Sequence, residues 1–279
     1  MKVNFEKFGI DVSRIRGTQG KTTCPKCSHT RKKRNEPCLS VDLENGLFNC
    51  HNCGFKGCAM EFQRETKREY EKPVPRLEKL GKAVLKFFEE DRKISNNTLL
   101  RFGITEGKEW MPQFEAETTV ICFNYYQNGE LVNIKFRGPK KAFKMAKNAK
   151  LIFYNLDAIA SEEEAIICEG EIDCLSFHEA GIYNAVSVPN GASKGNQRLE
   201  YLDNCWEYFE NKRRIILATD NDEPGIALRD ELARRLGKDR CFTVTYPDGC
   251  KDANEVLIKY GKDALREMID NAQEWPLAG

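Results

Sequence analysis

Short apolar runs that stop abruptly at carboxylates set the pattern of this chain. Ile166-Ile167-Cys168 leads into Glu169-Gly170-Glu171-Ile172-Asp173, and Ile215-Ile216-Leu217-Ala218 leads into Thr219-Asp220-Asn221-Asp222. Each run has the length and branched composition of a buried strand in a parallel sheet, and each is followed by a helical pattern. Residues just past the carboxyl ends of such strands line the ligand crevice of open α/β sheets. Glu169, Glu171, Asp173, Asp220 and Asp222 are therefore expected to converge on one sheet edge. Val186-Ser187-Val188 predicts a further strand, and the loop Pro189-Asn190-Gly191-Ala192-Ser193 after it suits close backbone approach to phosphate. Asp203 to Phe209 predicts a helix, as does Pro224 to Leu236, with proline in its first turn and Gly237 at its end. Cys241 to Tyr246 predicts another strand.

Upstream, Thr118–Phe123 and Leu131–Arg137 flank Gln127-Asn128-Gly129-Glu130, the signature of a β-hairpin. From Leu80 to Gly103, Val84, Leu85, Phe87, Phe88, Ile94, Leu99, Leu100 and Phe102 recur at helical spacing, with Ser95 placed as a cap. Near the start, Leu39-Ser40-Val41-Asp42-Leu43 alternates, Asn45-Gly46 turns, and Leu47-Phe48-Asn49 returns as a second hairpin. Arg64 to Arg76 is mostly charged, with Pro73 and Pro75 discouraging regular structure, and reads as a linker. The expected division is 1–62, a linker over 63–79, then 80–160, and finally 161–279 with the α/β part and the exit. The fold class is mixed α/β, α+β taken as a whole.

Composition narrows the class. At 279 residues, with 41% hydrophobic and 31% charged residues, the chain can bury a sizeable core. No apolar run approaches the roughly 20 residues of a membrane span. Met1 to Lys7 lacks the apolar core of an export signal, so a cytoplasmic setting is expected, host cytoplasm for a phage-encoded chain. A net charge of +1 implies no nucleic-acid partner by itself, so any such partner rests on local patches.

Two such patches exist. Residues 135–150 hold seven basic groups and no acidic one: Lys135, Arg137, Lys140, Lys141, Lys144, Lys147 and Lys150. Lys135 and Arg137 share a strand face because side chains there repeat every second residue. The other patch, His29-Thr30-Arg31-Lys32-Lys33-Arg34, carries four consecutive cations suited to phosphate contacts.

Twelve cysteines without an export signal argue for metal ligation in a reducing compartment. Cys24-Pro25-Lys26-Cys27 and Cys50-His51-Asn52-Cys53 are separated by 22 residues, the pattern of two knuckles that turn four thiolates onto one tetrahedral Zn²⁺. Cys38, Cys58, His29 and His51 have no partner at knuckle spacing and are not expected to ligate. His51, Phe48 and Phe55 are of types that stack on unpaired bases, although Phe48 is read as ribbon core. Gly20-Lys21-Thr22 is not a phosphate loop, since position 15 is Ile and no strand precedes it.

Crowded carboxylates repel one another unless cations sit among them, and hard divalent ions are the usual answer. Glu169-Gly170-Glu171-x-Asp173 with Asp220-x-Asp222-x-x-Gly225 resembles the TOPRIM fold of DnaG-type primases, topoisomerases and certain nucleases. Lys251-Asp252-Ala253-Asn254-Glu255 resembles the third acidic motif of the primase branch, and Ile94 to Ile104 a motif that precedes its catalytic sheet. The order of parts is similar to the primase half of phage primase–helicase proteins and of Twinkle-like proteins.

The resemblance implies a DNA-dependent RNA polymerase that primes replication on single-stranded DNA from ribonucleoside triphosphates, by nucleotidyl transfer with about two Mg²⁺ or Mn²⁺. It implies Asp220, Asp222 and Asp252 as metal ligands, with Glu169 a ligand or general base and Glu171 and Asp173 as outer ligands. Lys135 and Lys141 match the nucleotide-binding lysines of phage primases, with Arg137, Lys144 and Lys251 beside them. The zinc ribbon would recognise template through His29, Arg31, Lys32, Lys33, Arg34 and His51.

Implied partners are a replicative helicase, in cis or trans, and the DNA polymerase that receives the primer. No ATP-binding phosphate loop is present, so a stand-alone primase or the primase part of a longer protein is expected. A TOPRIM nuclease would share the carboxylates without requiring ribbon or lysines. A topoisomerase would need a tyrosine nucleophile in a further domain, and a non-catalytic single-strand-binding module could dispense with Glu169 or Asp220.

Overall fold

The structure, a computed structural model, describes residues 2–61, 69–192 and 199–275. The part of the expected linker at 63–68, Ser193 of the loop after the third strand, and the exit at 276–279 lie outside the described residues. The chain forms two compact units, Met1–Arg68 and Glu69–Gly279.

In the first unit, β1 (Lys2–Val3) pairs with β6 (Met60–Glu61), and β2 (Gln19–Thr22), β3 (Leu39–Asp42), β4 (Leu47–Cys50) and β5 (Lys56–Cys58) form an antiparallel sheet in that order. Gly20-Lys21-Thr22 lies in β2, consistent with rejecting a phosphate loop. The β3–β4 hairpin turns at Asn45-Gly46, with Gly46 at φ +69°. Phe48 is buried and contacts Phe5, Phe8 and Phe55, making the ribbon's small core.

The second unit opens with residues 69–79 running extended, tied down by Lys72–Glu130 and Arg76–Glu109 ion pairs and a bridge from Glu78 to Glu106. The helical pattern from Leu80 to Gly103 resolves into α1 (Lys82–Lys86), a π-turn over Phe87–Asp91 and α2 (Asn96–Arg101). Lys93, at φ +59°, breaks the run, and Ser95 Oγ accepts from Thr98 N as the cap of α2. Next come β7 (Thr105–Met111), β8 (Ala116–Gln127), β9 (Glu130–Arg137) and β10 (Phe143–Met145), an antiparallel meander. Asn128 and Gly129 both have positive φ, the primed turn that Asn-Gly favours in a hairpin.

Alternation gives this meander two apolar faces. Met111, Val120, Cys122, Ile134 and Phe136 pack on one, while Phe123 and Tyr125 join the main core on the other. Cross-strand register Phe123↔Lys135↔Met145 and Ile121↔Arg137↔Phe143 puts Lys135 and Arg137 on the main-core face.

The main core surrounds a five-stranded sheet of β11 (Glu164–Cys168), β12 (Ala185–Ser187), β13 (Arg214–Ala218), β14 (Cys241–Thr243) and β15 (Gln273–Glu274), ordered β12-β11-β13-β14-β15. Only the β14–β15 pairing is antiparallel. The helices are α3 (Glu171–Glu179), α4 (Glu200–Asp203), α5 (Trp206–Phe209), α6 (Glu223–Leu236) and α7 (Ala253–Asp270). The expected Asp203–Phe209 helix is thus two short helices interrupted at Asn204-Cys205, and the expected Cys241–Tyr246 strand stops at Thr243 before Pro247. Chain connections leave β11 toward β12 on one side and β13 toward β14 on the other. The carboxyl ends of β11 and β13 therefore form the topological switch point of the sheet, with Cys168 opposite Ala218.

A side chain at Gly225 would have no room, since its Cβ would lie 2.1 Å from the Asp220 carbonyl oxygen. The first turn of α6 is pressed against the backbone that presents Asp220, and Thr219 Oγ1 donates to Gly225 O at 2.8 Å. Gly225→Ala is expected to cost about 3 kcal/mol, at the upper end for overpacking, because the atoms the new Cβ meets all belong to the Asp220 backbone. Urea unfolding of the two proteins measures it, and a loss under about 1 kcal/mol would contradict the contact.

Candidate active site

The carboxylates at the switch point line one wall of a cavity of about 570 Å³ in the second unit. Glu169 follows β11 directly, Glu171 and Asp173 lie in the first turn of α3, and Asp220 follows β13. Asp252 caps α7, accepting from Glu255 N at 2.7 Å, and also faces the cavity. The opposite wall is basic and aromatic: Arg92, Lys135, Arg137, Lys141, Lys144 and Phe143.

Burial and mutual repulsion dominate the acidic wall. Asp220 is pushed up to about 7 by burial, then by the charges of Glu169 and Asp252. Glu169 and Asp252 are raised by burial, and Asp173 well above its ordinary range by burial and then by Asp252 and Asp220. Glu169 Oε1 accepts from Ala192 N at 2.9 Å in the loop after β12, whereas its Oε2 is buried with no hydrogen-bond partner. Asp173 is held by Asn254 N at 3.0 Å. Lys251 Nζ approaches Asp220 at 3.4 Å from outside the cavity lining. An oxygen-only donor set with raised pKa values and one orphaned buried oxygen suits hard divalent cations.

Several expected site residues are engaged with protein partners. Asp222 caps α6 by accepting from Gly225 N at 3.0 Å, and it does not line the cavity. Glu171, expected among the magnesium ligands, receives Lys135 Nζ at 2.8 and 3.1 Å and the Tyr125 hydroxyl, all three side chains being buried. Its second role follows from position: the first turn of α3 lies under β9, and a lysine there needs a counter-charge once buried. Lys144, on the other face of β10 from Phe143, donates to Glu109 at 2.6 Å and to Trp110 O at 2.9 Å. Arg137 stacks on Phe87 and Phe143 at 5.2 and 5.5 Å. Lys141 borders the cavity from a turn in which Lys140 and Lys141 have positive φ.

Sequence patterning carries no signal for Arg92, which lines the cavity, or for Tyr125, which donates to Glu171. Arg92 stacks on Phe87 at 5.2 Å and donates to Asn254 Oδ1 at 3.1 Å, joining the π-turn to α7. Tyr125 is hidden in an ordinary strand pattern. Asn254 sat inside the third acidic motif, where only its charged neighbours carried a signal.

In the first unit, the Sγ atoms of Cys24, Cys27, Cys50 and Cys53 lie within 4.8 Å of one another. Cys24–Cys53 and Cys27–Cys50 separations of 3.7 and 3.6 Å are close to the edge of about 3.8 Å that Zn–S bonds of 2.3 Å require. The Cys53 thiol is lowered by the Phe55 backbone N–H. His29 and the run Lys32–Arg34 are exposed, Arg31 and Lys33 share Glu36 at 3.5 and 3.8 Å, and His51 bonds Ser40 Oγ at 2.9 Å.

Residues 166–257 match the Toprim-like family. The primase homolog protein of Arabidopsis thaliana is 36% identical over 96% of this chain and 86% of its own length. The chain belongs to the DNA primase family. The chain also matches the chloroplastic/mitochondrial Twinkle homolog of the same plant, 34% identical over 97% of this chain but only 41% of that protein. A solved chain from the bacteriophage T7 lagging-strand DNA polymerase with primase domains of two gp4 subunits, bound to an RNA/DNA hybrid and dTTP, is 26% identical. It covers 72% of this chain and 94% of its own, with a TM-score of 0.57. Among the described residues, no helix is long and apolar enough to cross a membrane.

The buried Lys135–Glu171 pair makes a stability test. Removing one partner, as in Glu171→Met or Lys135→Met, is expected to cost about 3–5 kcal/mol, and the double variant less than either single one. Urea unfolding of the four proteins closes the cycle; simple additivity would contradict the coupling.

Proposed function

We propose that the cavity of the second unit is a nucleotidyltransferase site that joins ribonucleotides on a single-stranded DNA template. The observation that carries this reading is the facing of an acidic wall at the sheet's switch point by a cationic wall from an adjacent meander. Glu169, Asp220 and Asp252 would hold about two Mg²⁺ or Mn²⁺ ions, with Asp173 and the uncapped oxygen of Asp222 outside them. Bound there, such ions neutralise charge on the attacking hydroxyl and on the departing pyrophosphate.

The chain's own groups do the rest. Glu169, with a buried and unpartnered Oε2, is placed to accept the proton of the 3′-hydroxyl. Lys141 and Arg137 face the triphosphate, and Lys135 is oriented toward it by Glu171 and Tyr125. Gly191, at φ +63°, opens the loop after β12 for close approach of phosphate to backbone.

One Zn²⁺ held by Cys24, Cys27, Cys50 and Cys53 would fix the ribbon, whose exposed His29, Lys32, Lys33 and Arg34 meet template phosphates. Arg31 and His51 border the same surface. A helicase and a primer-receiving DNA polymerase are the partners this reading implies; the chain's match to 41% of the Twinkle homolog leaves room for a helicase in cis or trans.

Incubation with mixed-sequence single-stranded DNA, four ribonucleotides and Mg²⁺ tests the proposal. Short template-dependent oligoribonucleotides are expected. Asp220→Asn should reduce them roughly 10²–10³-fold, the loss seen when one preorganised electrostatic group is removed. Cys50→Ser should impair initiation more than extension of a supplied short primer. Shortened DNA without incorporated nucleotide would contradict the reading, and equal loss of initiation and extension in the Cys50 variant would contradict the ribbon's role.

A further inference from the structure

The cysteine cluster of the first unit contains a fifth sulfur. Cys38 Sγ lies 3.7 Å from Cys50 Sγ and 3.9 Å from Cys27 Sγ, and those two are 3.6 Å apart. All three separations match the roughly 3.8 Å edge of a ZnS₄ tetrahedron with 2.3 Å bonds. The Cys27–Cys50 edge is thus flanked by Cys38 in addition to the knuckle partners Cys24 and Cys53. Cys38 is buried and its backbone is fixed on both sides, N–H to Thr22 O at 3.0 Å and C=O from His51 N at 3.1 Å. Cys53, by contrast, is exposed.

We propose that Cys38 is a reserve zinc ligand that replaces Cys53 when the exposed thiolate is lost. This rests on reading the cluster as a zinc site. The Cys53 Sγ–zinc bond breaks, a Cys38 Sγ–zinc bond forms, and the Cys38 proton leaves to solvent; no electrons are transferred. Cys24, Cys27 and Cys50 would remain ligands beside Cys38, which neighbours both Cys27 and Cys50. The consequence is a ribbon whose three buried ligands are indispensable while its one exposed ligand is not.

The geometry also separates this role from a merely supporting one. A group that only hydrogen-bonds to a ligand thiolate costs about 10–100-fold in metal affinity when removed from the intact site. A reserve ligand costs nothing there and is felt only in the absence of the ligand it replaces, which is strong non-additivity between neighbouring sites.

The test uses the full chain, zinc content and affinity, and the thiolate-to-metal charge-transfer absorption of the Co²⁺-substituted protein, whose intensity scales with the number of thiolates. Cys53→Ser is expected to keep one zinc and a four-thiolate Co²⁺ spectrum, whereas Cys50→Ser loses the ion. Cys38→Ala alone should bind zinc within about twofold of the unaltered chain, and Cys38→Ala with Cys53→Ser should lose at least about 100-fold. A three-thiolate spectrum in Cys53→Ser, or zinc loss equal to that of Cys50→Ser, overturns the proposal. So does a double variant that binds as well as Cys53→Ser. Because Cys53 is exposed, the spectrum of its single variant stands even if the buried Cys38 variants fold poorly. Absence of zinc from the unaltered chain would instead remove the zinc reading itself.

Discussion

Electrostatic crowding at the carboxyl ends of β11 and β13 is the constraint on which the rest of the second unit depends. Parallel pairing with Cys168 opposite Ala218 forces Glu169 and Asp220 to emerge side by side. The first turn of α3 and the cap of α7 then add Asp173 and Asp252 to the same cavity. Among the described residues, the cation that reaches Asp220 is Lys251, at 3.4 Å from the outer edge of the cluster. Burial and mutual repulsion raise Asp220, Glu169, Asp173 and Asp252 above the ordinary carboxyl range, so protons bind there more readily than at exposed carboxyls. A divalent ion relieves the same repulsion without protons, which is why the site suits phosphoryl chemistry.

The meander supplies the opposing charge, and it must be locked to the sheet to do so. Lys135–Glu171–Tyr125 is one lock. Beside it, α2 and α7 are tied to the far end of α3, where Glu179 accepts from Ser95 N and Oγ, Thr98 Oγ1 and Lys262 Nζ. Although burial opposes it, those donors hold Glu179 down to about 2. A further bond joins Arg92 to Asn254, so that the π-turn, α3 and α7 close around the cavity from one side. Cationic side chains are thereby held on one wall of the cavity, Lys135 and Lys144 against Glu171 and Glu109, with Lys141 and Arg137 lining it beside them.

Local rules carried the reading of the sequence a long way. Apolar runs ending in acids marked β11 and β13, Asn-Gly marked both hairpin turns, and paired Cys-x-x-Cys marked the thiol cluster. The TOPRIM resemblance and the α/β class follow from those motifs. What stayed hidden depended on distant pairing. Glu171 is expected among the outer metal ligands and lines the cavity, but sequence cannot show that Lys135 and Tyr125 arrive beside it across a strand register. Lys144 lines the cavity as expected of a nucleotide-facing residue, but sequence could not show that its place on β10 also pairs it with Glu109. Asp222 is drawn to capping α6 because Gly225 N needs an acceptor. Cys38 had no knuckle spacing and was set aside, although the β2–β3 pairing carries its sulfur to the Cys27–Cys50 edge.

The central claim is that protons and divalent cations compete for one carboxylate cluster. Carboxyls raised in the folded chain contribute stability that is complete below their ordinary pKa near 4 and is lost as pH rises through the folded value, about 7 for Asp220. The most direct measurement is the melting temperature between about pH 5.5 and 8, with and without millimolar Mg²⁺, for the unaltered chain and Asp220→Asn. The stabilisation by Mg²⁺ should be small at the acidic end and grow as pH rises. In the absence of Mg²⁺, Asp220→Asn should be the more stable protein at pH 8 and show little response when Mg²⁺ is added. A Mg²⁺ increment that is independent of pH, or undiminished in Asp220→Asn, would contradict the account.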